Sequence, residues 1–151
     1  MRLFLDANIL FTAAHNPNGK AALVISLGQA GLLQLVTSSY ARAEEAHRNL
    51  QRKFPACGEI FEQQLATICL LAESDQWICP DGLTEKDFPI YRAAQACKAD
   101  VLLTGDIRDF GFLMNAPNKT EGLLIQTVAD FLNRTEPHFS RASALDLKPL
   151  P

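Results

Sequence analysis

The sequence predicts an α/β domain built on a parallel β-sheet. Short runs of consecutive apolar residues at 3–5, 101–103 and 123–125 have the composition of strands that are buried on both faces. Between such runs, apolar residues recur at helical spacing. Strands that alternate with helices form parallel sheets, and 151 residues suffice for one domain with a substantial core.

Five strands and several helices are expected along the chain. The predicted strands are residues 2–6, 33–37, 77–79, 101–103 and 123–125. The predicted helices are residues 8–14 (a short helix or turn), 20–29, 40–53 and 58–71, a helix that follows Asp87, one turn within 109–114, and residues 127–132. Gly28 and Gly31 are expected near the end of the helix at 20–29, because glycine commonly caps helices.

The C-terminal segment differs from the rest of the chain. Residues 135–151 contain three prolines and show little periodicity. We therefore predict a domain of residues 1–134 followed by a tail, which could be ordered, a partner-binding arm or disordered.

Charge and composition narrow the possible functions. The formal net charge is −3, from 14 basic and 17 acidic residues, which argues against tight nucleic-acid binding by charge alone. A bound divalent cation would reverse the local sign of the charge at an acidic site.

The sequence also predicts where the protein is found. No apolar stretch is long enough to cross a membrane, and Asp6 and Asn8 interrupt the N-terminal apolar segment, so we expect a cytoplasmic protein. The four cysteines lie in or beside apolar segments without a CxxC pair, which predicts reduced core residues.

Acidic residues follow the predicted strands. Asp6 comes directly after the first strand, and Asp106 and Asp109 come after the fourth. Asp87 opens the helix that leads into the fourth strand, and a glutamate pair, residues 44 and 45, lies in the helix after the second. In open α/β sheets, ligands bind at the carboxyl ends of the strands. These acids are therefore expected at the edge where chemistry is usually done.

A cluster of carboxylates without histidine or cysteine suits Mg²⁺ or Mn²⁺. Crowded carboxylates repel one another and need either protons or cations. A divalent ion held in this way would activate water as a nucleophile and stabilise the charge on a phosphate under attack.

Each acid also has an ordinary structural explanation. Asp6 could belong to a simple turn or helix cap, Asp109 could cap the turn after Asp106, and Asp87 could be the N-cap of its helix. Glu44 and Glu45 could belong to a solvated charged face. The functional interpretation is favoured because all of these acids fall at one edge of one sheet.

Motifs for other chemistries are absent from the sequence. The chain has no GxGxxG motif, no P-loop and no GxSxG motif, so dinucleotide binding, nucleoside-triphosphate binding and α/β-hydrolase chemistry lack support. Its histidines have no strand-end serine with which to form a triad.

Three segments of the chain carry most of these features: LFLDANIL at the start, SSYARAEEAHRNL in the middle and DFPIYRAAQACKADVLLTGDIRDF near the end. Together they resemble a PIN domain, the small nuclease fold of VapC-type toxins and related ribonucleases. The last segment is the most specific, because an acid, a helix, an apolar strand and Thr-Gly-Asp must follow one another in register. The resemblance covers about residues 1–134.

The resemblance implies a three-layer fold in which a five-stranded parallel sheet has the order 3-2-1-4-5. That order makes the first and fourth strands neighbours, so Asp6 and Asp106 would face one another. It also implies hydrolysis of RNA that depends on Mg²⁺ or Mn²⁺. The catalytic residues implied by the resemblance are Asp6, Glu45, Asp87 and Asp106. The implied metal ligands are Asp6, Asp87, Asp106 and Asp109.

Further expectations follow from the same resemblance. Asn8 and Thr104 are expected to orient the carboxylates. Glu45 is preferred to Glu44 because the glutamate of the family usually precedes a stretch like Arg48–Leu50. The basic side chains of Arg42, Arg48 and Arg108 could meet substrate phosphates or be plain surface charges.

The resemblance implies an RNA substrate, an antitoxin protein as partner and a homodimer. A second interpretation is a PIN-like binding or regulatory subunit without turnover, which the negative net charge favours. The complete set of acids favours the ribonuclease.

Overall fold

The computed structural model describes residues 1–40, 45–72 and 74–145 of the chain. Five parallel strands form one sheet in the order β3-β2-β1-β4-β5, as the resemblance implies. The strands are β1 (Arg2–Leu5), β2 (Gln34–Ser38), β3 (Cys69–Leu71), β4 (Val101–Leu103) and β5 (Leu124–Gln126). The α-helices in the described ranges are α1 (Ala7–His15), α2 (Lys20–Gln29), α3 (His47–Lys53), α4 (Gly58–Leu65), α5 (Phe88–Ala96), α6 (Ile107–Phe110) and α7 (Val128–Leu145).

Strand β1 lies at the centre of the sheet, between β2 and β4. Leu3, Phe4 and Leu5 are completely buried, and so are Leu102 and Leu103 of β4. Because successive side chains of a strand point to opposite faces, both faces of the sheet must be covered here. The helices cover both faces and give the three-layer architecture.

Strands β1 and β4 also end at the same level. Leu5 is paired with Leu103, and the amide of Asp6 donates a hydrogen bond to the carbonyl of Leu103 at 3.0 Å. The residues that follow the two strands therefore leave the sheet side by side.

The third strand lies outside its predicted position. We predicted it at 77–79, but this segment lies in a loop, where the side chain of Ile78 is 87% exposed. Strand β3 instead occupies part of the predicted helix at 58–71, which ends at Leu65 as α4. The prediction failed because β3 is an edge strand with exposed or partly exposed side chains, so it lacks the pattern of a buried strand. The helical spacing of α4 also continues into it through Ile68, which is buried.

The last helix is longer than the sequence indicated. We predicted a helix at 127–132, whereas α7 continues to Leu145 with Pro137 inside it. Phe131 and Thr135 are buried at a spacing of four residues, and Phe139 continues this face as a partly buried side chain. Packing of this face sustains the helix although Pro137 lacks an amide hydrogen. The predicted boundary between residues 134 and 135 falls within α7, and residues 146–151 lie outside the described part.

Other predicted elements are found close to their expected positions. The four strands β1, β2, β4 and β5 differ from the predicted bounds by at most one residue at either end. The predicted helix at 40–53 is represented by α3, while residues 41–44 lie outside the described ranges. No helix in the described part of the chain is long and apolar enough to span a membrane.

The cysteines are less buried than the sequence indicated. All four are free thiols, as predicted. Cys57, Cys79 and Cys97 are partly buried and pack against the core, whereas Cys69 is exposed, so the prediction of a core position was wrong for Cys69. Cys69 is exposed because it lies on the edge strand β3.

Gly28 has a packing role that differs from the expected capping role. It lies inside the last turn of α2, and the backbone of Gly31, with φ of +79°, follows the helix end. A Cβ atom added at Gly28 would lie only 2.3 Å from Cδ1 of Leu35, which is buried on β2. Gly28 therefore allows α2 to approach the sheet closely.

We expect Gly28→Ala to lower the free energy of unfolding by about 1–3 kcal/mol, because the added methyl group would displace Leu35. Gly58→Ala provides the matched control, since nothing lies within 4 Å of a Cβ atom added at the start of α4. It should be neutral or slightly stabilising. Urea denaturation measures both, and equal stability of the two variants would contradict the packing role.

Candidate active site

Asp6 connects the ends of the two central strands. Its carboxylate is buried, with an exposed fraction of 5%. One oxygen, Oδ1, accepts a hydrogen bond from the amide of Ala7 at 2.7 Å at the start of α1. The other, Oδ2, accepts hydrogen bonds from the Thr104 hydroxyl at 2.7 Å and from Asn8 Nδ2 at 3.0 Å. Asp6 is therefore both a helix cap and a link from β1 to the residue after β4.

Asn8 and Thr104 hold the two strand ends together. The Thr104 hydroxyl oxygen also accepts hydrogen bonds from the Asp106 amide at 3.1 Å and from Asn8 Nδ2 at 3.2 Å. Asn8 Oδ1 accepts one from the Gly105 amide at 2.7 Å. These bonds fix the turn that carries Asp106 relative to the first turn of α1.

Three of the predicted acids form a cluster beside this link. Carboxylate oxygens of Asp87, Asp106 and Asp109, one from each residue, lie within 4.8 Å of one another. Asp87 comes from the 3₁₀ turn before α5, and the other two come from the loop and helix that follow β4. The sheet order thus brings together acids that are up to 22 residues apart in the sequence.

The acids of the cluster are held in different ways. Asp106 caps α6, because its Oδ1 accepts a hydrogen bond from the Asp109 amide at 3.0 Å. Asp87 makes no capping hydrogen bond to its helix, which excludes the ordinary explanation considered for it. Its Oδ2 instead accepts a hydrogen bond from the hydroxyl of Thr84.

Lys86 is a residue of this site that the sequence did not single out. Its ammonium nitrogen lies 2.6 Å from Oδ2 of Asp109. The Lys86 side chain is 63% exposed, whereas that of Asp109 is 13% exposed. Its position directly before Asp87 is the only sequence signal for it, and an isolated lysine carries little weight.

The surroundings shift the acidity of several carboxyl groups. The pKa of Asp6 is raised to about 6, mainly by burial and to a smaller extent by the charges of Glu45 and Asp87. The hydrogen bonds from Thr104 and from the Ala7 amide act in the opposite direction. Burial also raises the pKa of Asp87. The hydrogen bond from Lys86 lowers the pKa of Asp109 below its usual range. The surroundings therefore disfavour the ionised forms of Asp6 and Asp87 and favour the ionised form of Asp109.

Glu45 lies at a neighbouring cleft. It is exposed, and together with Asn8, Asp106 and Lys20 it lines a cavity of about 610 Å³. The structure does not bring Glu45 into the cluster of three acids. The alternative glutamate, Glu44, lies outside the described residues.

Of the basic residues considered for phosphate contacts, two are described. Arg48 and Arg108 are both exposed, and the charge of Arg108 contributes to the low pKa of Asp109. Arg42 lies outside the described residues.

The donor set of the cluster fits a hard divalent cation. Its ligand atoms are carboxylate oxygens, without sulfur or imidazole nitrogen, which suits Mg²⁺ or Mn²⁺ better than a soft metal. Asp6 lies next to this cluster but outside it, with both of its oxygens accepting hydrogen bonds. The roles predicted for all of these residues stay predictions.

The fold has counterparts among solved structures. One similar structure is VapBC2 from Rickettsia felis bound to a promoter DNA fragment. The TM-score is 0.55 and the sequence identity is 16%, and the match covers 84% of this chain and 98% of that chain. The chain has a VapC-type PIN-domain fold. VapBC-1 from nontypeable Haemophilus influenzae is also similar, with a TM-score of 0.50 and 17% identity over 85% of this chain and 99% of that chain. Neither a protein-family model nor a curated protein sequence matches the chain. At these identities the similarity shows the PIN fold alone.

The raised pKa of Asp6 predicts a pH-dependent loss of stability in the metal-free protein. Between about pH 4 and pH 6, the folded protein binds more protons at this residue than the unfolded chain, whose carboxyl group has the ordinary value of 3.8. The free energy of unfolding of the wild type, relative to that of Asp6→Asn, should therefore fall as the pH rises through this window and level off above it. The total loss should be about 3 kcal/mol.

Urea denaturation of metal-stripped protein at a series of pH values measures this difference. Asp81→Asn, which changes an exposed carboxylate in a turn, is the control and should show no comparable fall against the wild type. A constant difference between the wild type and Asp6→Asn from pH 4 to 7 would contradict the prediction.

Proposed function

We propose that the chain is a divalent-metal-dependent ribonuclease that hydrolyses phosphodiester bonds in RNA. The observation that carries this proposal is the cluster formed by Asp87, Asp106 and Asp109. It lies beside the buried Asp6, at the carboxyl ends of the central strands of a PIN fold. Three carboxylates in this arrangement repel one another, and a cation is the natural counter-charge.

The residues of the cluster would hold Mg²⁺ or Mn²⁺, with Asp6 next to them. A bound divalent ion would lower the pKa of a water molecule and stabilise the negative charge that develops on the scissile phosphate. Asp106 is fixed in position by its bond to the Asp109 amide, and Asp6 by its bonds to Thr104 and Asn8. Such prior fixation reduces the reorganisation required during the reaction.

The cavity beside the cluster offers room for the substrate. Its volume of about 610 Å³ is within the range of small-ligand pockets, so it can accommodate a nucleotide of an RNA strand. Lys20 at its wall supplies a positive charge for a phosphate group, and Asn8 supplies polar atoms. We propose that Glu45, exposed at the same cavity, accepts a proton from the attacking water.

We further propose that the chain is the toxin of a toxin–antitoxin pair, acting in the cytoplasm as a homodimer. Support comes from the two similar structures, both of VapBC pairs. A short open reading frame directly upstream of the gene would supply the candidate antitoxin. Its co-expression should yield a stable complex in which RNA cleavage is suppressed.

We expect Asp106→Asn to reduce RNA cleavage at least about 100-fold while leaving the fold intact. The variant loses a charged metal ligand, but the asparagine oxygen can still accept the hydrogen bond from the Asp109 amide that caps α6. The assay is cleavage of a labelled single-stranded RNA in Mn²⁺, with circular dichroism as the measure of folding.

Two further samples complete this experiment. Asp81→Asn removes an exposed carboxylate in a turn and should cleave like the wild type. Wild-type protein treated with a chelator should be inactive and recover on addition of Mn²⁺. Undiminished cleavage by Asp106→Asn would refute the proposed site.

A second candidate is a PIN-like binding or regulatory subunit without turnover. Two observations favour it: the net charge of the chain is −3, and the carboxylate of Asp109 already forms an ion pair with Lys86. It predicts that the wild type binds a partner or RNA but cleaves no RNA in either Mg²⁺ or Mn²⁺. Metal-dependent cleavage that Asp106→Asn lacks would eliminate it.

A further inference from the structure

We propose that Lys86 is a built-in counter-ion of the acid cluster, which pairs with Asp109 in the metal-free protein and competes with a divalent cation for the negative charge of the acids. Lys86 thereby sets the affinity of the site for metal. This inference rests on the proposed function, because it concerns the same acids. It assigns a role to a residue of this chain that neither the motifs nor the cluster geometry include.

The first support is geometric. Lys86 and Asp87 are adjacent in one 3₁₀ turn, Glu85–Asp87, which the hydrogen bond from the Asp87 amide to the Thr84 carbonyl helps to close. This turn directs an ammonium group to within 2.6 Å of Asp109 Oδ2, although the two residues are 23 positions apart. The same short turn thus brings both a carboxylate and a cation to the cluster.

The second support is the charge balance. Three ionised carboxylates carry a charge of −3, and the ammonium group of Lys86 reduces it to −2, so the cluster attracts a divalent cation less strongly than it would without Lys86. A protonated lysine has three donors and no acceptor, so it cannot itself be a metal ligand. Lys86 and a divalent ion therefore compete for the same negative charge.

The third support is the exposure of Lys86. Its side chain is 63% exposed, so most of it already contacts water in the paired state. Its long side chain can move into water, while Asp109 stays at the cluster. The hydrogen bond to Asp109 raises the pKa of Lys86, and the charges of Asp87 and Asp106 raise it further, so all three acids favour the charged ammonium group.

The test is Mn²⁺ titration by calorimetry with full-length protein. Lys86→Met removes the charge and keeps a long side chain, and Lys86→Arg keeps the charge. Lys98→Met is the matched control, since it removes an exposed lysine just beyond the opposite end of α5. The thermal midpoint of each metal-stripped protein is measured in parallel.

We expect Lys86→Met to bind Mn²⁺ roughly ten-fold more tightly than the wild type, because the competing positive charge is removed from the cluster. Its metal-free thermal midpoint should fall, and Mn²⁺ should restore it. Lys86→Arg and Lys98→Met should bind Mn²⁺ like the wild type. Unchanged or weaker binding by Lys86→Met, or equal tightening by Lys98→Met, would overturn the proposal.

The outcomes separate this inference from the proposed function. If the wild type binds no Mn²⁺ and cleaves no RNA, but Lys86→Met binds Mn²⁺, the ribonuclease proposal fails and the role of Lys86 stands. If Mn²⁺ binds the wild type and Lys86→Met equally well, and the wild type cleaves RNA in Mn²⁺, the role of Lys86 fails and the ribonuclease proposal stands. If no variant binds Mn²⁺, both fail.

Discussion

The site depends on the pairing of two strands that are buried on both faces. Leu3 to Leu5 of β1 and Val101 to Leu103 of β4 exclude water from both sides of the sheet centre. Polar side chains can appear only where these strands end, and parallel pairing makes the two ends coincide. The hydrogen bond of 2.7 Å from Thr104 to Asp6 closes this junction. Asp106 and Asp109 are connected to it through the Asp106 amide, which donates to Thr104, and the Asp109 amide, which donates to Asp106.

This arrangement places charge where it is costly. Burial raises the pKa of Asp6 and of Asp87, so the protein stabilises the ionised acids incompletely. Hydrogen bonds from Thr104, Asn8 and Thr84 offset part of this cost. They supply dipoles but no positive charge, which leaves the repulsion between carboxylates in place. A site with this excess of negative charge favours a nearby cation, which can be the ammonium group of Lys86 or a metal ion.

Much of the fold could be predicted because its centre is determined by local composition. The continuous apolar runs of β1 and β4 identify buried strands, and the acids that follow them mark the functional edge. The order of the strands came from the resemblance, since composition does not specify which strands are neighbours. Edge strand β3 and the extension of α7 escaped prediction for a common reason. Their conformation is decided by packing against distant parts of the chain, which no local periodicity records.

The candidate site was also only partly predictable from local sequence. Helix capping and a functional role were considered as alternatives for the acids, but Asp6 and Asp106 both cap helices and lie at the site. A hydrogen bond to one carboxylate oxygen leaves other lone pairs for a ligand, so the two roles are compatible. Asp87, for which capping was an equally plausible explanation, caps nothing. The ion pair of Lys86 with Asp109 joins residues from two separate segments, and only the folded chain brings their charges together.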